Sequence, residues 1–153
     1  MQGGFGQMQQ AGMQAIGGNP SARPTRRNAW VFGFVPIVGG VILNSVFSGI
    51  AVAADVGAIS AIGSLLYLGC MIWFLLNMLK ALDEMRNAAG NASFPRWPII
   101  IPIYNLIYWL TMVPKEVQKA KQMRGLQPVS RSLVFYFFFP VVALQSDLND
   151  LAG

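Results

Sequence analysis

The sequence contains no histidine, a single cysteine and few charged residues. Cys70 cannot form a disulfide within the chain, and without histidine the sequence offers no zinc site, haem site or Cys–His nucleophile. We therefore expect neither a metal nor a cofactor. Charged residues make up 11% of the chain, whereas soluble domains carry about 25%. This deficit indicates a protein whose solvent is a lipid bilayer.

Basic residues outnumber acidic ones, with 11 Lys and Arg against 6 Asp and Glu. They are scattered beside apolar runs rather than gathered on one soluble face. The expected partner is therefore a bilayer with anionic headgroups, and nucleic acid is not expected. Residues 1–27 are rich in Gly, Gln and Met and contain no acid, which predicts a disordered cytoplasmic tail. The alternative is a binding arm that orders on a partner.

Residues 28–79 contain one ionisable residue, Asp55. The stretches on either side of it, 28–54 and 56–79, each exceed the roughly 20 residues that span a bilayer as a helix. This pattern predicts a transmembrane helical hairpin. Asp55 is expected in the turn, where its carboxylate would cap the second helix. An ion or proton site at Asp55 is the alternative.

Small residues recur at helical spacing on both predicted helices. Small faces let helix backbones approach closely in lipid, where packing drives association. We expect these residues to pack the hairpin together, and contacts between copies of the chain are the alternative. The residues are Ser45, Gly49, Ala53, Gly57, Ala61 and Gly69.

Residues 80–153 predict two repeat-like units, each an amphipathic helix followed by a short membrane segment. The apolar segments are residues 97–113 and 133–144, and each contains prolines. A helix from Pro102 to Val113, or from Leu133 to Leu144, has twelve residues. Such a helix is about 18 Å long, little over half of a roughly 30 Å hydrocarbon core. Such segments re-enter or lie at the interface more often than they span. The predicted bends are at Pro102, Tyr104, Asn105 and Pro140.

The most basic stretch of the chain follows the first short segment. Basic residues in short loops are retained in the cytoplasm, as Arg26 and Arg27 also indicate for the N-terminus. This distribution opposes a crossing at 97–113, although a model with four spans stays open. We expect the basic residues to contact lipid headgroups or an acidic partner: Lys115, Lys119, Lys121, Arg124 and Arg131. Together these patterns predict an all-α membrane protein with interfacial amphipathic helices.

The stretch "IPIYNLIYWLTMVPKEVQKAKQMRG", followed by "SRSLVFYFFFP", resembles a bacterial family of small multi-pass membrane proteins known only as a domain of unknown function. The family pattern is Pro-Ile-Tyr, then Tyr-Trp, a charged helix and a further apolar segment with proline. The resemblance covers roughly residues 67–150 and includes Pro102, Ile103, Tyr104, Tyr108 and Trp109. It implies a protein of the bacterial inner membrane and brings no known activity.

These patterns favour a non-enzymatic membrane protein, an accessory or anchoring subunit or a scaffold. Its expected partners are other membrane subunits or further copies of itself. A channel or small-solute transporter is the alternative, with Asp55, Tyr104 and Asn105 as its polar lining. An enzyme acting on lipid is favoured least, because the carboxylates have no histidine companion and no metal-ligand spacing.

Overall fold

The computed structural model describes residues 22–153, and all regular secondary structure in this range is helical. The predicted all-α class is therefore confirmed for the described residues, while residues 1–21 of the predicted tail lie outside them. In chain order the elements are α1 (Ala29–Gly33), α2 (Val35–Ala54), α3 (Gly57–Ala88), a 3-10 turn (Trp97–Ile100), α4 (Pro102–Ile107), a π-helical turn (Tyr108–Met112), α5 (Val113–Met123), α6 (Leu133–Phe138) and α7 (Pro140–Ala152).

The two long helices, α2 and α3, are apolar and pack side by side. They contain 20 and 32 residues, and both are long and apolar enough to cross a membrane. Only 11% and 6% of the residues in their most apolar windows are buried inside the protein. The core helix of a soluble protein would be mostly buried. Both helices instead turn apolar side chains outward along most of their length.

Asp55 forms the turn between these helices. Its backbone is left-handed, with φ 55° and ψ 37°, a conformation that Asp tolerates better than most residues. Its N–H bonds to the carbonyls of Ala51 and Val52, which ends α2. The residue at the start of α3 is Val56, and no side chain caps this helix. The prediction that Asp55 caps the second helix is wrong, because the residue closes the first helix instead.

The contact between α2 and α3 uses a different stripe of small residues from the predicted one. A Cβ added at Gly63 would lie 2.6 Å from Phe47 Cβ, and one at Gly40 would lie 2.9 Å from Cys70 Cβ. On each helix the two contacting residues are seven apart, two helical turns, which keeps them on one helix face. On α2, the predicted Ser45, Gly49 and Ala53 do not belong to that stripe.

The predicted small residues of both helices therefore face outward in the structure. A Cβ added at Gly49, Gly57 or Gly69 would meet no atom within 4 Å. Ser45, Ala53 and Ala61 are exposed. Among the described residues, these outward-facing small residues do not pack α2 against α3. The alternative prediction, that they contact another copy of the chain, stays a prediction.

A charged base closes one end of the two long helices. We define the base as α1, the end of α3 from Asn77 onward, and residues 91–153 together with 22–28. Its core combines apolar side chains from α3, α5 and α7, all fully buried: Leu82, Met85, Val117, Leu144 and Leu148. At Gly33 an added Cβ would lie 2.9 Å from Val142 N, so α1 lies directly on the backbone of α7.

Proline explains the π-helical turn between α4 and α5. Pro114 lacks an N–H, and its ring crowds the carbonyl four residues earlier. The chain accommodates it with a wide turn in which Val113 N–H bonds to Tyr108 O, five residues back. The helix therefore continues through Pro114 to Met123 rather than ending in a sharp exit kink.

The apolar face of α5 is buried in the base. Val113, Val117 and Ala120 are each 0% exposed and pack in the core. The predicted placement of this amphipathic helix at the membrane interface does not hold for its apolar face, because α3 and α7 cover that face. The side chain of Asn91 donates to Glu116 Oε1 at 2.8 Å. Residues 80–96 and α5 therefore lie on the same side of the molecule.

The second short segment is shorter than the predicted 133–144. Its helix α6 ends where Phe139 adopts φ −136° and ψ 60°, and Pro140 begins α7. Val141 and Leu144 are buried in the base, with exposures of 1% and 0%. The exposed apolar side chains of this segment all lie within residues 133–138, about half the predicted length: Leu133, Val134, Phe137 and Phe138.

Candidate functional site

Charge is divided sharply between the two ends of the molecule. All 11 Lys and Arg lie outside residues 28–79, and Asp55 is the one charged residue within that range. The base therefore carries every basic side chain, and the tip of the two long helices carries a single carboxylate. This division makes the base the candidate functional site.

Exposed apolar side chains continue from the long helices onto the two short segments of the base. Ile100 and Ile103 in the first segment are 79% and 75% exposed, and Val134 and Phe138 in the second are 67% and 65% exposed. Aromatic rings pack within and beside these two segments. Trp97 packs on Tyr104 at 5.6 Å between ring centroids, and Trp30 packs on Phe139 at 5.4 Å. Aromatic belts of this kind mark the boundary between membrane and water.

The predicted bend residues occupy this apolar level. Ile101 is extended and Pro102 begins α4, as Pro140 begins α7. The chain before the bend is a single 3-10 turn rather than an extended arm. The acceptor Oδ1 of Asn105 is buried and has no hydrogen-bond partner among the described residues.

Lys121 lies at the centre of a buried ion-pair network in the base. Its Nζ donates to Asp147 Oδ1 at 2.8 Å, to Asp150 Oδ2 at 2.8 Å and to Val129 O at 2.9 Å. These three bonds use all three of its donors. The residue is 5% exposed. Lys121 is therefore saturated by protein groups, and it does not reach a headgroup.

Asp147 is the partner that the network is built around. The carboxylate is fully buried and also accepts from Tyr136 Oη at 2.7 Å and from the backbone N–H of Arg131 at 3.0 Å. Burial first, and then the charge and hydrogen bond of Asp147, raise the pKa of Tyr136, so that its hydroxyl stays protonated and donates. The network ties α5, α6 and α7 to the loop between α5 and α6.

The five predicted contact residues divide into two groups. Lys121 is buried, Arg131 pairs with Asp150 at 3.0 Å, and Arg124 donates to Ala22 O at 2.6 Å and to Leu151 O. Burial first, and then the neighbouring charge of Arg23, lower the pKa of Arg124. These three side chains hold the base together.

Lys115 and Lys119 form the second group. Both are exposed, and neither makes an ion pair with a described residue. They lie four residues apart on the outer face of α5, so their ammonium groups are neighbours. Of the predicted five, these two are exposed and make no ion pair with a described residue, whereas Arg131 is exposed but pairs with Asp150.

Side chains from α3 and α7 hold residues 22–28 by their main chain. Asn149 accepts from Arg27 N at 3.0 Å and donates to Arg27 O at 2.6 Å. Gln145 donates to Thr25 O at 3.1 Å, and Glu84 accepts from Thr25 N at 3.1 Å. We call this set of contacts the clamp. It differs from the predicted tail boundary at residue 27, because ordered contacts already begin at Ala22.

Arg27 is the side chain that the clamp recognises. Its guanidinium forms a bidentate salt bridge with the Glu84 carboxylate at 2.6 and 3.0 Å, and it also donates to Gln145 Oε1 at 3.3 Å. The ring of Phe32 lies 4.8 Å from its central carbon. Gln145 and Asn149 are four residues apart on α7, and this spacing is the sequence signal by which the clamp could have been found.

The carboxylates offer no visible catalytic arrangement in the described part of the chain. Asp83 pairs with Arg86 and Arg96, Glu84 with Arg27, and Asp147 with Lys121. Residues 22–153 contain no group of three metal-ligating side chains. Asp55 is exposed and lies just before the first residue of α3, whereas Asn105 lines a cavity with Phe74, about 25 Å further along that helix, so the predicted polar lining is not brought together.

No family model matches the chain, and no curated protein or solved structure is significantly similar to it. The resemblance to a bacterial family of small membrane proteins therefore stays a prediction.

Proposed function

We propose that the chain is a non-enzymatic integral membrane protein, an accessory or anchoring subunit that holds a charged base against the cytoplasmic face of a bilayer. The observation that carries this proposal is the division of the molecule into two exposed apolar helices and a base whose buried charges, Lys121 and Asp147, pair with one another.

The long helices are proposed to cross the membrane as a hairpin. At 1.5 Å per residue α2 is about 30 Å long, which matches the roughly 30 Å hydrocarbon core. Asp55 then lies at the far surface, where water reaches it. All basic residues lie on the near side, and basic residues are retained in the cytoplasm. This supports a cytoplasmic base and N-terminus, in a bacterial inner membrane as the family resemblance implies.

The two short segments are proposed to dip into the near leaflet. Helices α4 and α6 have six residues each and reach only about 9 Å. The chain returns to the base after both, through α5 and α7. Two dips therefore fit the structure better than two more crossings. Their exposed isoleucine, valine and phenylalanine side chains add apolar area that fixes the depth of the base.

The clamp supports an anchoring role for this base. It fixes residues 22–28 beside α7. A partner that binds residues 1–21 would be held close to the base. The partner would be another membrane subunit or a further copy of the chain.

Cysteine labelling tests this topology. In a Cys70→Ala background, Asp55→Cys and Lys119→Cys place one thiol at each proposed surface. A membrane-impermeant maleimide applied to intact cells should label the first thiol, and it should label the second only after lysis. Labelling of Lys119→Cys in intact cells would contradict the cytoplasmic base.

Purification in mild detergent tests the role of subunit. We expect a stoichiometric second protein, or a stable homo-oligomer that does not conduct ions in liposomes. Ion flux through the purified chain would instead favour the channel alternative. Removal of residues 1–21 is the matched control, since loss of the partner from that variant would assign it to the tail.

A further inference from the structure

The two long helices contain two asparagines whose surroundings differ. Asn77 is 4% exposed, and its amide donates to Phe32 O at 2.8 Å. Asn44, in α2, is half-buried, and its side chain makes no hydrogen bond with any group of residues 22–153. The amide of Asn44 is not enclosed by the protein either, in contrast to Oδ1 of Asn105. Asn44 therefore presents an unpaired polar group at the surface of the long helices.

Asn44 lies at the middle of α2. It comes nine residues after Val35 and ten before Ala54, so it is about 13–15 Å from either end of the helix. In the proposed topology this is the centre of the hydrocarbon core, where neither lipid tails nor water offer a hydrogen bond. A serine can bond its own helix there, as Ser64 does to Ser60 O at 3.2 Å. Asn44 makes no such bond, so the group that satisfies its amide comes from another membrane-embedded chain.

The face of α2 beside Asn44 is open to such a chain. At about 100° per residue, Ser48 lies about 40° around the helix from Asn44 and Ser45 about 100°, on the side away from Phe47 and the contact with α3. Ser45 is exposed, and a Cβ added at Gly49 would meet no atom within 4 Å. Small residues of this kind let a second helix approach closely in lipid. Asn44 thus borders a surface on which a helix can pack.

A second copy of the chain matches this surface, because an amide is its own complement. The Asn side chain has an acceptor and two donors, so two Asn44 amides can bond each other reciprocally. Copies inserted in the same orientation carry Asn44 at the same depth. A two-fold axis along the membrane normal then brings the two side chains together. Buried Asn pairs in coiled coils fix dimers and their register in the same way.

We propose that the chain forms a homodimer in the bilayer, in which α2 packs against α2 of a second copy and the two Asn44 amides bond each other. The proposal rests on the membrane placement proposed above and names the partner of the proposed subunit. The two-fold axis places both bases side by side at the same membrane surface.

Disulfide cross-linking tests the face that packs. In a Cys70→Ala background, Ser48→Cys places a thiol one turn from Asn44, on the proposed face. Leu43→Cys is the matched control, because Leu43 is 37% exposed but lies about 100° from Asn44 in the opposite direction. The full chain is reconstituted in phosphatidylcholine liposomes and oxidised with copper phenanthroline, which enters the bilayer.

We expect Ser48→Cys to form a disulfide-linked dimer roughly fivefold faster than Leu43→Cys, because a disulfide requires Cα atoms within about 7 Å. Equal rates for the two variants would mean that copies meet by random collision, and they would overturn the proposed face.

The affinity of the dimer tests Asn44 itself. Donor and acceptor dyes on Asp55→Cys, in the Cys70→Ala background, report energy transfer as the liposomes are diluted with lipid. Asn44→Leu should raise the dissociation constant about tenfold, because it removes the reciprocal bonds. Asn44→Gln keeps an amide and should raise it by no more than about threefold. An unchanged dissociation constant in Asn44→Leu would overturn the pairing of the amides.

Leu43→Asn/Asn44→Leu is the matched control for the affinity measurement. It keeps the composition of α2 and the depth of the amide, but it moves the amide off the proposed face. This variant should not recover the cross-link of Ser48→Cys. Recovery of that cross-link would show that any amide at this depth suffices, and it would overturn the role given to position 44.

Failure of the dimer and failure of the membrane placement give different results. A chain that stays monomeric at every lipid dilution, with Asp55→Cys and Lys119→Cys labelled from opposite sides, would overturn the dimer and leave the placement standing. A chain that alkaline carbonate removes from the liposomes would overturn both. If the purified parent is a monomer bound to a second protein, and Asn44→Leu loses that protein, the face belongs to a different subunit and the homodimer is overturned.

Discussion

The two long helices and the base are stabilised by different kinds of contact. In the helices, small residues let two backbones approach, and nearly all other side chains face outward. In the base, buried ions and amides pair with one another across α3, α5 and α7. Lipid supplies no hydrophobic drive for helix association, so close packing must provide it. Water at the base does supply that drive, and the polar network then selects one arrangement of its helices.

The largest effect is expected where a charge is left alone in the base. Lys121→Met leaves the fully buried Asp147 without its ammonium partner. Breaking a buried ion pair typically costs about 3–5 kcal/mol, and we expect roughly 3 because Tyr136 and Arg131 still donate. The free energy of unfolding in detergent micelles measures this loss.

Lys119→Met is the control for this substitution. It removes the same charge from an exposed site on the same helix and should change stability by less than about 0.5 kcal/mol. Similar values for the two variants would show that the network contributes nothing beyond net charge.

The next effect is expected in the helix pair. Gly63→Ala places a Cβ 2.6 Å from Phe47 Cβ, so the helices must separate locally. Overpacking of this kind costs about 1–3 kcal/mol. Gly69→Ala meets no atom within 4 Å and should be neutral or stabilising, by up to about 1 kcal/mol from helix propensity.

Thermal unfolding of the two glycine variants in the same detergent gives the comparison. If Gly69→Ala lowers the unfolding temperature more than Gly63→Ala does, the outward-facing small residues contact another chain. That result would support the prediction of contacts between copies.

A smaller effect is expected at the clamp. Asn149→Asp keeps the acceptor for Arg27 N but turns the donor to Arg27 O into a second acceptor. Loss of such a bond costs about 1–2 kcal/mol. Local opening of residues 22–28 should therefore rise about tenfold, and trypsin cleavage after Arg26 or Arg27 measures it. Asn87→Asp, at an exposed position of α3, is the matched control, and an equal cleavage rate in both would mean that the clamp does not restrain the segment.

The sequence predicted the apolar helices well and the base poorly, for a physical reason. Length and composition suffice to identify α2 and α3, since a bilayer imposes both. The pairing of Lys121 with Asp147 joins residues 26 positions apart, and that of Arg27 with Glu84 joins residues 57 apart. No local pattern encodes such pairs. Residues that looked like a basic surface therefore proved to be internal partners.

The internal repeat shows the same limit. A glycine follows the charged helix of each predicted unit, and Gly90 and Gly125 both adopt positive φ, 62° and 68°. In both, the N–H of the residue after the glycine bonds back to a carbonyl in the last helical turn, Arg86 O and Lys121 O. A second pair of segments matches more closely. Residues 27–36 and 131–140 each run from an arginine through a capping residue and a short helix to a proline in the first turn of the next helix.

The smallest effect is expected at the exposed pair of lysines, and it separates surface charge from internal charge. Lys115→Gln/Lys119→Gln should leave the unfolding free energy in neutral detergent nearly unchanged, because neither side chain makes an ion pair within residues 22–153. Each should contribute about 1 kcal/mol to attraction by anionic lipid at low salt. Replacing phosphatidylcholine nanodiscs with anionic phosphatidylglycerol nanodiscs should therefore raise the unfolding free energy of this variant less than it raises that of the parent.

Lys115→Arg/Lys119→Arg keeps both charges and should behave as the parent does. The difference should fade in molar salt, where screening acts within about 3 Å. An undiminished response of the Gln variant would assign lipid attraction to other exposed basic residues of the base, such as Lys80 and Arg96.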